Sequence, residues 1–581
     1  MAMDAASGEK KPAPLGALLA PYWPWIVLLV VLTISGNALN LLVPQMIAWA
    51  IDGFGKPGFD LTHILIEFVA VAAGIFAFTY VQAIVQTLAS ERVARDLRQK
   101  LVAKISGQNY AYVETVTPAR LLTNLTSDSD AVKSFVSQAI ASIVSSVFLI
   151  IGASVLLLLL NWQLALAVLA VVPIIAVTFY LVLSRVRKLF RRAQAAIDRL
   201  NKVINESILG SSLVRLVNSQ AAEYQKFLTV NGEALGIGMS ILRLFSGLIP
   251  AIVFLSNLAT LIILALGGHL VISGSMTLGQ FTAFNSYLTI LIFPILIIGF
   301  MSNVVAQAQA SYDRIGVVLA APDPKPTGTI KARIRGDLAV ENLTIRYGQR
   351  AALDDVSFSV RAGSRTAIIG PTAAGKTQLL YAMTGLIVPQ AGRVTIDGHP
   401  LADYDEKALH QQIALVFQDS VTFNLSVREN IAFSSTADDA SLQQAIATAE
   451  LADFMATLPQ GLDTPISERG TSLSGGQKQR IMLARALALN PQVLLLDDFT
   501  ARVDQRTERK ILGNVRANYP GITLVSVTQK IAPVADYDQI VLLMEGKVLA
   551  IGTHAQLMHA SPEYVQIYRT QQSTADYELQ A

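Results

Sequence analysis

The chain has 581 residues, of which 52% are hydrophobic and only 15% charged, against roughly 25% charged in a typical soluble domain. Its formal net charge of +3 is too small to indicate binding to nucleic acid, and the absence of cysteine excludes disulfides and thiolate metal sites. Its length predicts several domains, and the apolar excess lies almost wholly before residue 320, so we expect two halves of different character.

Six long apolar segments occupy the first half, each near or above the ~20 residues needed to cross hydrocarbon. They lie at about 23–48, 63–88, 137–160, 162–184, 246–272 and 279–305. The third and fourth are joined only by Asn161-Trp162-Gln163, which predicts a tight hairpin with Trp162 at the interface. Six such segments in succession, with few charges inside, favour membrane helices over buried helices of a soluble protein. We predict an all-α, six-helix transmembrane domain over residues 1–320.

Basic residues in the connecting loops predict the orientation. The long loops after the second and fourth spans hold many lysines and arginines, among them Arg92, Arg95, Arg98, Lys188, Arg191 and Arg192, whereas the three other loops carry only Lys56. The positive-inside rule therefore places both long loops, and both termini, in the cytoplasm. Both loops are helically patterned, so we expect the spans to continue as helices beyond the membrane.

The predicted spans contain amides but scarcely any ionisable groups. Examples of these amides are Asn37, Asn40, Gln82, Gln86, Asn257 and Asn285. The lack of an intramembrane carboxylate relay argues against ion coupling and for an external energy source. Such amides either contact a substrate or, more commonly, form hydrogen bonds with neighbouring helices.

A Pro/Gly-rich stretch beginning at Ala321 predicts a linker over residues 321–335, and strands then alternate with helices in an α/β domain over residues 336–581. In this domain the apolar run Thr366–Ile369 predicts a buried strand, followed by a glycine-rich loop and a helix that starts near Gln378. The loop is Gly370, Pro371, Thr372, Ala373, Ala374, Gly375, Lys376 and Thr377. This G-x-x-x-x-G-K-[ST] pattern between a strand and a helix is typical of a phosphate cradle. Lys376 would reach the β- and γ-phosphates of a nucleotide and the Thr377 hydroxyl would hold Mg²⁺.

Further motifs follow in a fixed order. Tyr347 precedes the loop and is placed to stack on adenine, and Gln418 ends the apolar run that starts at Ile413. The segment Leu473, Ser474, Gly475, Gly476 and Gln477 precedes a helix, and a buried strand from Val493 ends in Asp497 and Asp498. Asp497 is the natural partner for Mg²⁺.

In order and spacing these motifs resemble those of ATP-binding cassette (ABC) transporters, with Leu473–Gln477 as the signature motif. Six spans ahead of one cassette resemble the half-transporters of the exporter-type fold. The resemblance implies ATP and Mg²⁺ as ligands, Gln378 among the ATP-binding residues, Thr377, Gln418 and Asp497 as the metal site, and Asp504 in the D-loop. It also implies that Thr117–Asp128 and Glu206–Val217 are intracellular loops, where short coupling helices press on the cassettes.

Two positions depart from the family pattern. The acid after Asp497 is expected to be glutamate but is Asp498, and the histidine expected to face the γ-phosphate is Gln529. Lys376, Thr377 and Gln418 are retained. The combination resembles the degenerate-site subunit of bacterial heterodimeric multidrug exporters, and predicts a site that binds ATP and hydrolyses it poorly.

Cassettes of this family work as head-to-tail pairs, so the resemblance implies a homologous half-transporter as partner, whose competent ATP site the intact signature would serve. A homodimer with two slow sites is the alternative. The implied function is ATP-driven export of hydrophobic or amphipathic compounds across a bacterial inner (plasma) membrane, with a cytoplasmic ATPase domain and no nucleic-acid partner. A lipid, peptide or siderophore substrate would use the same motifs, and an ATP-gated channel or regulatory subunit would also account for the degenerate site.

Overall fold

The computed structural model describes residues 16, 19–54, 56–323, 328–433, 437–466 and 473–580, apart from the side chains of 500, 501 and 573–580. The chain divides into two compact units, one of Met1–Gly107 with Val116–Pro322, the other of Gln108–Thr115 with Asp323–Ala581. Of the predicted linker, residues 324–327 lie outside the described residues. Farther along it, Ile330 forms a parallel bridge with Tyr404 and Ile334 is buried, so this part packs on the second unit.

Six helices of the first unit are long and apolar enough to cross a membrane, and each contains one predicted span. They are Ala20–Gly53, Leu61–Ser106, Pro118–Leu160, Trp162–Leu209, Gln220–Ile272 and Leu278–Leu319. Most extend well past the predicted spans, as the helical patterning of the long loops indicates. The third helix contains π-helical turns at Asn124–Asp128 and Phe135–Ala139, and the fifth contains one at Ile263–Gly267.

Two connections differ from the sequence prediction. The expected three-residue hairpin is the single residue Asn161, whose side chain accepts a hydrogen bond from the Leu164 backbone N–H (3.0 Å) and so caps a helix that already includes Trp162. The expected first intracellular loop, Thr117–Asp128, is mostly the start of the third long helix. The short helix lies just before it, at Tyr110–Val116. A second short helix, Ser211–Leu216, falls inside the second expected loop.

The helices of the first unit pack through apolar faces, with a few polar contacts between them. Of the span amides named above, Asn37 donates to the Ser145 hydroxyl (2.8 Å) and Gln86 donates to the Ser137 carbonyl. These two amides therefore join neighbouring helices.

The second unit contains two sheets. Their strands are β1 Leu338–Tyr347, β2 Arg350–Val360, β3 Arg365–Ile369, β4 Ala391–Ile396, β5 His399–Pro400, β6 Ile413–Val416, β7 Val493–Asp497, β8 Thr523–Thr528, β9 Gln539–Met544 and β10 Lys547–Gly552. The smaller, antiparallel sheet has the order β2-β1-β4-β5. The larger has the order β10-β9-β3-β8-β7-β6, parallel except for the edge strand β10.

Helices cover the larger sheet. The described helices of this unit, besides short 3-10 turns, are Tyr110–Val116, Lys376–Met383, Glu406–His410, Val427–Ile431, Asp439–Thr448, Ala452–Thr457, Gly475–Leu487, Gln505–Asn518, His554–Ala560 and Pro562–Gln580. Alternate residues of one strand enter different cores: Leu494 and Leu496 one, Leu495 the other. A parallel strand buried on both faces needs a continuous apolar sequence, which is why β7 could be predicted. The second unit is the predicted α/β domain.

Candidate functional site

The predicted site residues meet where the parallel strands end. The phosphate loop follows β3, Gln418 follows β6, Asp497 ends β7 and Gln529 follows β8. Carboxyl ends of parallel strands lie at one edge of a sheet, where α/β proteins bind ligands. Here they surround a cavity of about 350 Å³. The predicted residues that line it are Tyr347, Thr372, Ala373, Ala374, Gly375, Lys376, Thr377, Gln378, Gln418, Asp497, Asp498 and Gln529.

Backbone geometry explains the glycine-rich loop. Gly375 has φ of 94°, and a Cβ there would collide with the backbone carbonyl of Ala352. Only glycine fits this left-handed, close-packed position. Helix Lys376–Met383, hereafter the phosphate-loop helix, begins at the next residue, so its free N–H groups lie beside the cavity. The Lys376 ammonium donates to the carbonyls of Gly370 (2.8 Å) and Pro371 (2.7 Å), which hold it within the loop.

Lys376 and Asp497 form the charged floor of the cavity. Burial lowers the pKa of Lys376, opposed by the nearby negative charges of Asp498 and Asp497. Burial raises the pKa of Asp497, and Asp498 adds to that rise, whereas a hydrogen bond with Thr377 and the charge of Lys376 oppose it. Groups of both signs held out of water at a nucleotide site are suited to a ligand that carries phosphate and metal.

The residues present fit a magnesium ion. Asp497 is 1% exposed, and its Oδ2 atom has no hydrogen-bond partner among the described residues. The described residues include no group of three or more His, Cys, Asp or Glu side chains suited to a metal. Mg²⁺ in such sites takes one or two protein oxygens and completes its shell with water and substrate phosphates. Asp497 and Thr377, with Gln418 beside the same cavity, would hold it, and the ion would neutralise charge on the phosphates.

Tyr347 stands at the rim of the cavity. It ends β1, its ring is about half exposed, and its hydroxyl donates to Gln378 Oε1 (2.7 Å). This hydrogen bond connects the predicted adenine-stacking ring to the phosphate-loop helix. Tyr381, on the same helix, contacts Tyr110 edge-on, with ring centroids 5.6 Å apart.

The two departures from the family pattern lie in the same cavity. Asp498 has a φ of 44°, and its backbone N–H donates to the Val527 carbonyl (3.0 Å). Gln529 is exposed. Its side chain and the Asp498 carboxylate both line the cavity that holds Lys376.

Two glutamines that were not predicted from the sequence contact the loops that carry Gln418 and Gln529. Gln479, on the helix after the signature, donates from Nε2 to the Gln418 carbonyl (3.1 Å). Gln571, on the last helix, contacts the backbone on both sides of Lys530. Both lie far from their partners in sequence, and no periodicity or motif signals them.

The signature residues do not line the cavity. Ser474 caps helix Gly475–Leu487, hereafter the signature helix, in a capping box: its hydroxyl accepts from the Gln477 N–H (3.2 Å) and its own N–H donates to Gln477 Oε1 (2.8 Å). Leu473 packs on the core. A Cβ on Gly476 would lie 2.9 Å from the Arg502 carbonyl, so the backbones approach closely there.

Asp504, the expected D-loop residue, caps another helix. Its carboxylate accepts from the backbone N–H groups of Arg506 (3.1 Å) and Thr507 (2.9 Å) at the start of Gln505–Asn518. The hydrogen bonds with Thr507 lower the pKa of Asp504. An ionised carboxylate at a helix N-terminus is stabilising.

Comparison with known proteins agrees with this arrangement. Residues 26–295 match the family model described as ABC transporter transmembrane region, and residues 353–501 match the one described as ABC transporter. The chain is 30% identical over 575 residues to the probable multidrug resistance ABC transporter ATP-binding/permease protein YheI of Bacillus subtilis, covering 96% of this chain and 97% of that protein. It is 29% identical over 596 residues to the ATP-dependent lipid A-core flippase of Ralstonia nicotianae, covering 99% and 100%.

A solved structure described as a bacterial Atm1-family ABC exporter with ATP bound superposes with a TM-score of 0.78 at 25% identity, over 94% of this chain and 99% of the other. The likeness extends over both the spanning helices and the α/β unit. The chain is therefore an integral membrane protein of the ABC transporter family, a half-transporter of the exporter type with six spanning helices and one ATP-binding cassette.

Proposed function

We propose that this chain is the degenerate-site half of a heterodimeric exporter that uses ATP to move hydrophobic or amphipathic compounds across the membrane. The observation that carries the proposal is one cavity with an intact phosphate loop, Lys376 and Asp497 beside altered residues at 498 and 529. Binding groups are retained and the groups expected to act on the attacking water and the γ-phosphate are replaced.

The replacement at 498 alters reach. An aspartate is one methylene shorter than glutamate, so its carboxylate falls short by about one C–C bond, ~1.5 Å. A misplacement of ~1 Å can cost about 10²-fold in rate. At 529, an amide can hydrogen-bond to phosphate but cannot become an imidazolium. Together these changes support ATP binding with slow hydrolysis.

Dimerisation is supported by the position of the signature. Ser474 and its neighbours do not line this chain's own cavity. The N-terminus of the signature helix lies at these residues. A helix N-terminus with free N–H groups suits a phosphate. In a head-to-tail pair, that phosphate would belong to the partner's nucleotide.

Exposed apolar patches on each unit also favour a partner. Around the short helix Ser211–Leu216, Leu209 is 85% exposed and Leu216 is 83% exposed. On the second unit, Phe423 and Phe433 are stacked with centroids 4.8 Å apart and are about half exposed. Clustered apolar surface outside the spans is typical of an interface. We propose that the short helix of one chain docks on a cassette in the dimer.

Substrate class and location rest on the spans and loops. The scarcity of ionisable groups in the spans suits apolar or amphipathic cargo, and both a multidrug protein and a lipid flippase are among the relatives. Loop charges favour a cytoplasmic cassette, and bacterial relatives such as YheI and the lipid A-core flippase lead us to propose the inner (plasma) membrane. Lipid export is the nearest alternative. The second alternative is an ATP-gated channel or regulatory subunit, which would also account for the altered residues Asp498 and Gln529.

The first test is to purify the full-length chain alone in lipid nanodiscs and measure ATP binding and hydrolysis. We expect ATP binding that the Lys376→Ala variant weakens, with a turnover well below that of a complex containing a homologous half-transporter with glutamate and histidine at the two positions. Vigorous hydrolysis by the chain alone would exclude the degenerate-site assignment. Hydrolysis by the complex, stimulated by a panel of amphipathic compounds, separates an exporter from a channel.

A further inference from the structure

The loop that carries Gln529 is held from outside the nucleotide cavity. It follows β8, and Gln529 itself is exposed. A side chain at the end of a short loop points where its backbone directs it. The contacts of that backbone therefore decide where the Gln529 amide lies.

One side chain makes two of those contacts. Gln571 donates from Nε2 to the Gln529 carbonyl (2.6 Å), and its Oε1 accepts from the Ile531 backbone N–H (2.9 Å). Both ends of one amide are used, on the residues that flank Lys530. Two hydrogen bonds from a planar group fix the orientation of the loop as well as its distance from the helix.

Gln571 is itself held by a well-anchored element, helix Pro562–Gln580, hereafter the C-terminal helix. Tyr564 of this helix is fully buried in a cassette core, and its hydroxyl lies 2.8 Å from His554 Nδ1. The His554 ring also packs against Tyr568, with centroids 5.1 Å apart. The side chain that holds the loop thus projects from a fixed support.

We propose that Gln571 is a positioning residue that sets the Gln529 amide for contact with the γ-phosphate of ATP. The proposal rests on the proposed function, in which Gln529 faces that phosphate. It implies that the C-terminal helix contributes to discrimination between nucleoside triphosphate and diphosphate. ADP lacks the phosphate concerned, so its affinity should not depend on Gln571.

The test measures equilibrium binding of radiolabelled ATP and of ADP, with Mg²⁺, to full-length chain in nanodiscs. For Gln571→Ala we expect ATP affinity to fall about three- to tenfold, the range for the loss of about one hydrogen bond, with ADP affinity unchanged. Gln571→Glu keeps the acceptor and loses the donor, so it should show a similar loss. Gln572→Ala is the matched control, because that neighbouring amide donates to Tyr568 on its own helix (2.9 Å).

Variants at residues 529 and 571 distinguish the positioning role of Gln571 from the proposed function. Gln529→Ala should reproduce the selective loss of ATP affinity. If it does and Gln571→Ala does not, the positioning role is wrong and the proposed function stands. If Gln529→Ala leaves ATP affinity unchanged, the assignment of Gln529 fails and the role of Gln571 falls with it. Equal losses of ATP and ADP affinity in Gln571→Ala would indicate a structural role only and also overturn the proposal.

Discussion

At the level of single residues, Asp497 is where burial and ligand binding meet most directly. Its Oδ2 atom is buried with no hydrogen-bond partner among the described residues, and burial raises its pKa. An unpaired buried acceptor costs free energy that a bound cation would recover. Mg²⁺ with a nucleotide should therefore stabilise the cassette while it occupies the site.

Restoring the family's residues at positions 498 and 529 should restore hydrolysis. Asp498→Glu combined with Gln529→His should raise hydrolysis at this chain's own site in the assembled complex by at least about tenfold, because repositioning a carboxylate by ~1 Å can be worth about 10²-fold. The double variant should exceed either single variant, since both groups are proposed to act on one water and one γ-phosphate. Trapping labelled nucleotide at each site separately measures this.

Asp498→Asn with Gln529→His is the matched control, because it keeps the shorter side chain and removes its charge. It should show no gain. If the glutamate–histidine variant also left this site as slow as the parent chain, the roles given to residues 498 and 529 would be wrong.

At the level of elements, the strands and the residues that follow them could be predicted from local sequence. Runs such as Val493–Leu496 are apolar because both faces of the strand are buried, and the polar residue that ends each run marks the edge of the sheet. Parallel pairing then brings those ends together. The family resemblance predicted Lys376, Gln418, Asp497 and Gln529 as parts of one site, and all four line the cavity at this edge of the sheet.

Other features depend on tertiary contacts and have no local signal. Gln571 contacts a loop about forty positions away in the chain, and a half-buried helical glutamine has no local sequence signal that points to such a contact. The first intracellular loop was predicted at Thr117–Asp128, but the short helix lies before it, at Tyr110–Val116, because the predicted segment is itself helical and gives no break in pattern. Similarly, Asn161 alone closes a hairpin because its side chain caps the next helix.

The signature helix supports a prediction that separates folding from catalysis. Ser474→Ala removes the capping acceptor and should cost about 1 kcal/mol of stability, along with the hydroxyl proposed to face the partner's phosphate. Ser474→Asp keeps a capping acceptor but adds negative charge, so it should retain stability and lose ATPase activity of the complex. Ser474→Thr should retain both. Thermal unfolding and ATPase of the same preparations test this.

The result that would contradict this is a loss of ATPase activity only in the variants that lose stability, with Ser474→Asp as active as the parent. It would show that Ser474 only caps the helix. The capping box is an observed contact. The contribution to a nucleotide across the dimer is the proposal.

At the level of the whole molecule, the proposed function gives one chain two different half-sites. Asp498 and Gln529 line the cavity around Lys376, whereas the signature residues do not line it. If each nucleotide is held by the phosphate loop of one chain and the signature of the other, as proposed, this chain supplies the poor half of one site and the sound half of the other. The two half-sites should then respond unequally to mutation.

Gly475→Asp is the sharpest change for the sound half. A Cβ at Gly475 would meet the flexible Arg502 side chain at 3.2 Å, so the residue can be accommodated, but its charge would repel phosphate at the helix N-terminus. Loss of one preorganised donor to developing charge typically costs about 10²–10³ in rate, so Gly475→Asp should abolish most ATPase of the complex while ATP stays bound at this chain's own loop. Under the proposed function, Lys376→Ala weakens the binding of a nucleotide that is hydrolysed slowly, so it should reduce ATPase activity only partly. The measurement is the steady-state ATPase activity of the complex that carries each variant singly. If Lys376→Ala lowers the activity more and Gly475→Asp remains active, this chain hydrolyses its own ATP and the proposed roles of the two half-sites are wrong.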